Sequence, residues 1–451
     1  MTDAHNRDTV KPEPPSRSRL GPTIAVVAAV VIATIAVVQS QSATGPGSAS
    51  APLPAGALAF RPIDGAELLV REERDATPTV GQDGVAALAG ANTDFALDVY
   101  RELAAASDAN VIVGPHSISS ALAMIYVGAR GETATEMADV LHFDSVEGDF
   151  GPAFNALDQT LQSRSVEGAV DLRIAIQGFG APGLDFVDAY LATLGRDFGA
   201  PMAELDFADA EAARRVINGW AADRTNDRIE ELFPAGEITP QTVLVVANAV
   251  SLDADWRYKF SPSQTTNQPF FLPDGSSVQV PTMRFDLYLP LVWTEEYAAV
   301  ELLYGQGDLS MVLLTAQDFA SFEAELDRER LQGIFDSITE QGIHLSMPKF
   351  SFKSHTALND TLQDLGMTSV FGSSADLSGM VSSPGLFLDN VQHEAFIEVD
   401  EAGTEAHAAT GGALAASHGP TITFDHPFMF VIRDRATGAI LFIGRVTDPR
   451  G

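Results

Sequence analysis

Cysteine is absent from this chain of 451 residues. That excludes disulfides, thiol nucleophiles and cysteine-ligated metals, and it leaves the redox compartment unmarked. Basic residues are scarce: 27 Lys and Arg stand against 61 Asp and Glu, a formal net charge of −34. Such a field repels polyphosphates, so no nucleic-acid partner is expected and a glycosaminoglycan cofactor is disfavoured. Familiar catalytic signatures are missing too. The chain has no Walker A loop, no G-x-G-x-x-G, no G-x-S-x-G elbow and no H-E-x-x-H. His393-Glu394-Ala395-Phe396-Ile397 fails that last pattern at its fifth position. His116, His142, His344, His355 and His426 are scattered and read as satisfied or surface imidazoles. No enzyme activity, metal or cofactor is expected. A triad of distant residues is spatial, and stays open as a third reading.

Charge is also missing from one long run. Leu20–Val38 (LGPTIAVVAAVVIATIAVV) carries none, whereas Arg7, Lys11, Arg17 and Arg19 precede it and no Lys or Arg follows until Arg61. The length and the positive-inside asymmetry predict a membrane segment. Residues 1–20 would then be cytoplasmic, 21–38 a transmembrane signal-anchor, and the rest extracytoplasmic. A cleaved signal peptide with secretion of the remainder, or a buried core helix, are the alternatives. Residues 39–57 are rich in Ser, Ala, Gly and Pro and read as a tether. Together with a lead-in that carries no functional assignment, the tether fills 39–87.

A globular texture starts near residue 88. Apolar spacing predicts helices over Thr93–Ala106, Ile118–Gly128 (capped by Ser117 or Ser119), Glu211–Leu232, Phe319–Ile338 and Ala357–Leu365. Strands are predicted at Val111–Val113, Thr242–Leu252, Ala298–Leu303, Leu309–Leu314 and His344–Phe352. Phe428–Arg433 and Ala439–Val446 should form a hairpin. Helices dominate the first half and strands the second, which gives an α+β class. Between Glu398 and Phe428 lies a long bland stretch of small residues, the kind of segment that is functional or disordered when it exceeds about 12–15 residues.

Seven segments in order resemble one family: residues 110–137, 217–232 (INGWAADRTNDRIEEL), 245–256 (VVANAVSLDADW), 347–352 (MPKFSF), 365–380, 389–410 (DNVQHEAFIEVDEAGTEAHAAT) and 425–449. The chain resembles the serpins, of a bacterial type with an N-terminal anchor or signal segment. The likeness covers about 89–450 and defines a domain over 88–451. It implies three β-sheets, eight or nine helices and an exposed reactive-centre loop. It further implies a monomeric suicide substrate of an extracytoplasmic serine protease, with a cysteine protease as a second candidate target. A protease attacks the loop, and the cleaved loop enters the central sheet and traps the acyl-enzyme. The alternative is a non-inhibitory binding protein of the same fold.

The resemblance assigns the loop's hinge to Glu401, Gly403, Thr404, Glu405, Ala406, Ala408 and Thr410. An inserting strand must alternate with period two. Thr404, Ala406, Ala408 and Thr410 would face inward and are all small; Glu405 and His407 fall on the outward face. Ser117, Asn248 and His393 take the family's polar shutter under the sheet, and Trp256 with Glu401 takes the breach where the loop enters. Gly114 stands where the family usually carries another serine, and Leu252-Asp253-Ala254-Asp255 departs from the usual text before the tryptophan. The scissile bond counts to Ala416-Ser417 or Ser417-His418. A small residue before it suits an elastase-like or subtilisin-like pocket.

Overall fold

Residues 242–254 read TVLVVANAVSLDA, with too few polar positions for a half-exposed strand. In the computed structural model they form a strand, Thr242–Ala254, at the heart of a seven-stranded sheet and almost entirely buried. The structure describes residues 26–38, 60–81, 83–146, 150–401 and 419–451, with residues 26–38 as backbone. The strand order across this central sheet is Phe350–Ala357, Leu386–Val399, Val26–Val38, Thr242–Ala254, Val170–Gly180, Met202–Glu204, Glu67–Leu69. The helix Ala210–Thr225 packs on one face, bringing Ile217 and Trp220 against Val245 and Ala247. The helix Pro115–Tyr126 lies under the other.

The remaining strands form a nine-stranded sheet, eight on one hydrogen-bonded path and Thr266–Phe271 off it, paired with Ser277–Trp293. Ser277–Trp293 joins its two halves: residues 282–291 pair with Thr339–Pro348, and residues 291–293 pair with Tyr297–Leu303. The two further sheets expected from the sequence are thus continuous through one long strand. Nine α-helices occur among the described residues. The predicted hairpin is present as Phe428–Asp434 and Ile440–Val446, both wholly buried.

Several boundaries differ from the sequence expectation. The helix predicted to Leu232 stops at Thr225, because Asn226 and Asp227 adopt φ of 54° and 60° and turn the chain left-handed. Ile229 and Leu232 still reach the same apolar cluster from the loop beyond. The span 319–338 is two helices, Phe319–Ala324 and Arg328–Ser337. Asp327 caps the second by accepting from the Arg330 N–H at 2.8 Å. The span 344–352 is likewise two strands in two sheets, with Lys349 at the crossing. Residue 357 ends a strand, and the short helix starts only at Asn359. Ser117 and Ser119 do not cap their helix. It begins at Pro115, and both hydroxyls are buried further in.

Val26–Val38 is a further departure. The run expected to span a membrane as a helix is a 13-residue strand inside the central sheet. Among the described residues no helix is long and apolar enough to cross a membrane. The physical reason for the ambiguity is plain. An uncharged run without polar period satisfies a bilayer and a doubly buried strand equally.

The lead-in also has structure. Glu67–Leu69 pairs with Met202–Glu204 and closes the sheet's edge. Arg74 then reaches a buried site, its Nη2 2.5 Å from Asp158 Oδ2 and its Nε donating to Asn155 Oδ1 at 2.8 Å. Asn155 and Gln159 return the contact by donating to the Asp75 carbonyl.

Candidate functional site

The strand Leu386–Val399 delivers the chain to the long loop, so the site is built from its neighbours. On one side lies Phe350–Ala357, antiparallel. On the other lies Val26–Val38, parallel to it and parallel also to Thr242–Ala254. Residue 32 pairs with His393 on one flank and with Asn248 on the other. The gap between the two central strands therefore holds exactly one extra strand.

Beneath that gap sit the three expected shutter residues, all buried. Ser117 Oγ donates to Asn248 Oδ1 at 2.5 Å. His393 Nε2 accepts the backbone N–H of Gly114 at 3.1 Å, which places the neutral ring's proton on Nδ1. Gly114 thus meets the histidine with its backbone, where the family usually offers a serine. Nearby, Ser119 Oγ donates to Asn92 Oδ1 at 2.6 Å. His116 is fully buried with neither ring nitrogen paired, and desolvation holds its pKa below the ordinary value, partly opposed by Asp158. The structure brings Ser117 and Asn248 into contact, but His393 reaches neither. One strand stands between it and Asn248.

At the head of the sheet the expected breach residues also meet. Trp256 is buried, stacks on Tyr304 with ring centroids 4.6 Å apart, and donates from Nε1 to the Asp400 carbonyl at 3.0 Å. Glu401 follows at once. Its Oε2 accepts from Lys349 Nζ at 2.6 Å and its Oε1 from Thr265 Oγ1 at 2.5 Å. Burial pushes the Glu401 pKa up, but the Lys349 ammonium and the Thr265 hydroxyl outweigh it and leave it lowered. The unusual Asp253 has an exposed-side partner in Arg228. Burial nevertheless raises its pKa.

Gly403, Thr404, Glu405, Ala406, Ala408, Thr410, Ala416, Ser417 and His418 lie outside the described residues. The chain is described again from Gly419. The Pro420 carbonyl accepts the His344 N–H at 3.0 Å, and Thr421–Thr423 pairs in parallel with His344–Ser346. The loop thus joins the head of the central sheet to the edge of the other. Lys349 and Thr265 were missed as site residues from sequence. Only the Pro-Lys-Phe run around Lys349 carried a signal, as family-like text.

The family model described as Serpin (serine protease inhibitor) matches residues 90–449. The chain is a serpin. Mouse leukocyte elastase inhibitor A is 36% identical to it over 379 residues, covering 80% of this chain and 99% of that one. Pig leukocyte elastase inhibitor is 37% identical over 378 residues with the same coverage, and the human inhibitor is 34% identical over 379. Among solved structures, uncleaved ovalbumin superposes with a TM-score of 0.73 at 27% identity, covering 80% of this serpin and all of ovalbumin. Maspin gives 0.75 at 26%, covering 82% and 100%. These relatives are vertebrate proteins, and they lend no support to a bacterial-type assignment or to an N-terminal anchor.

Proposed function

We propose that this serpin is an inhibitor and not an enzyme: a suicide substrate of serine proteases with elastase-like or subtilisin-like pockets. The observation that carries the reading is the central sheet itself. It accepts a whole extra strand between Thr242–Ala254 and Leu386–Val399, directly beside the strand that feeds the loop. The polar groups beneath that gap and the Trp256–Asp400 and Lys349–Glu401 contacts at its mouth support the same reading. So do the relatives named as elastase inhibitors. Small residues at 404, 406, 408 and 410 fit the inward face of an inserted strand, and Ala416 and Ser417 fit a small specificity pocket.

Insertion forms about two ladder bonds per residue, each worth roughly 1 kcal/mol net, against an ordering cost of about 1–2 kcal/mol per residue. These nearly cancel, so on this reading the drive would be strain in an open, uncleaved sheet that loop entry relieves. An extracytoplasmic site of action belongs to the same proposal, supported by the charge asymmetry around Leu20–Val38.

Incubation of the chain from Gln41 onward with pancreatic elastase and with a subtilisin tests the reading. An SDS-stable complex is the expected result. Clean cleavage of the loop without a complex would leave the non-inhibitory binding protein in its place.

A further inference from the structure

The slot that an inserting loop needs is already filled. Val26–Val38 pairs along its whole length with Leu386–Val399, and residues 27–37 pair with residues 242–253 of Thr242–Ala254. Each backbone N–H and C=O on the facing edges of those two strands serves one ladder partner at a time. A loop that leaves Leu386–Val399 at its C-terminal end must double back, and so would enter antiparallel to it. The flank away from the gap is taken by Phe350–Ala357. The inserted loop and Val26–Val38 therefore claim the same edges, and the two states exclude each other.

The competition is not even. Residues 26–38 read VVAAVVIATIAVV, mostly β-branched, with no charge, Gly or Pro. That is the composition of a strand buried on both faces. Residues 404–418 are Ala, Thr, Gly, Ser and His with one Leu and one Glu. Reach does not limit the N-terminal segment, since residues 39–59 can span up to about 70 Å when extended. A bilayer is the other environment that suits an uncharged run of this length.

We propose that residues 26–38 are an intramolecular plug of the insertion slot. With the plug seated, the serpin does not trap a protease; withdrawal of the segment, by removal or by transfer to a lipid bilayer, opens the slot. The proposal rests on the inhibitory reading above for its consequence, but plug binding itself is readable without a protease.

Three forms test it: the full chain purified without detergent, the chain from Gln41 onward, and the full chain carrying Ile32→Lys. The truncated and substituted forms should trap elastase at least about tenfold faster than the full chain, with fewer serpin molecules consumed per complex. Phosphatidylcholine vesicles should accelerate the full chain alone. Equal trapping by full and truncated forms would overturn the plug. If no form traps any protease, the inhibitory reading fails and a second measurement decides the plug. A peptide of residues 26–38 flanked by lysines, added to the truncated chain, should raise its melting temperature and shift it on a native gel. A peptide without either effect would overturn the plug on its own.

Discussion

Lys349 and Glu401 meet at 2.6 Å where the central sheet hands the chain to the loop. The lysine sits at the crossing between two sheets and the glutamate at the first loop residue, so their contact ties the hinge to both layers. Lys349→Met should cost about 1 kcal/mol or less at neutral pH, since the ammonium is partly exposed. Its sharper effect is on acid stability. Glu401 has a lowered folded pKa, so its contribution is present above the ordinary carboxylate value of 4.5 and is lost as pH falls through the folded value. Without Lys349 the folded value lies closer to the ordinary one, so that acid-dependent loss should be smaller and complete at a higher pH. Melting temperatures of both proteins from about pH 7 to about pH 3 check it.

Alternation in the hinge makes a paired prediction. Thr404→Arg or Ala406→Arg places a charge on the face an inserted strand would bury, and should turn the inhibitor into a substrate, with complex yield falling at least about tenfold. Glu405→Arg falls on the other face and should leave the yield nearly unchanged. SDS gels after reaction with elastase, run with the chain from Gln41 onward as the parent form, separate the outcomes. Loss of complex in all three would show that period two does not govern the hinge.

His116 predicts a pH dependence of opposite origin to a surface pair. Burial depresses its pKa, so the fold holds it neutral and the unfolded chain takes up the proton first. Stability is therefore complete above the ordinary imidazole value of 6.5 and declines as pH drops below it. His116→Leu should flatten that decline between about pH 7 and about pH 5 in chemical denaturation. His142 works the other way. Asp98 accepts its hydrogen bond and raises its pKa, so it stabilises below 6.5 and the gain fades as pH rises through the raised value. Both titrations must be included when the curves are fitted.

Arg74 should matter far more than a lead-in residue ordinarily does. It and Asp158 are both more than nine-tenths buried. Arg74→Ala leaves that carboxylate without its cation, at an expected cost of about 3–5 kcal/mol. A chain beginning at Gly84 should melt well below one beginning at Phe60. Equal melting points would show that residues 60–81 are dispensable.

Much of this site was legible because its residues sit in strongly patterned text. The apolar run around Asn248 announces a buried strand, and a polar residue inside such a run needs a partner. Ser117 supplies one from the helix below. Residues whose role depends on distant partners were not legible. Lys349 meets Glu401, and Thr265 meets it from the turn before the strand Thr266–Phe271; neither pattern nor propensity links such positions. Helix ends were misjudged where a side-chain stripe continued past the backbone's turn, as at Asn226. The Leu20–Val38 run defeated periodicity altogether. It has no polar residue regular enough to separate a bilayer helix from a doubly buried strand.

Gly419 approaches the 342 backbone so closely that a Cβ there would lie 1.7 Å from the Gly342 carbonyl oxygen. Just beyond it, Thr421–Thr423 joins one sheet edge and Phe428–Asp434 lies between two other strands. A cut at Ala416, Ser417 or His418 therefore nicks the molecule without dividing it. The severed C-terminal piece stays woven into the core, so a spent molecule would elute from a sizing column as one particle and fall into two only when denatured.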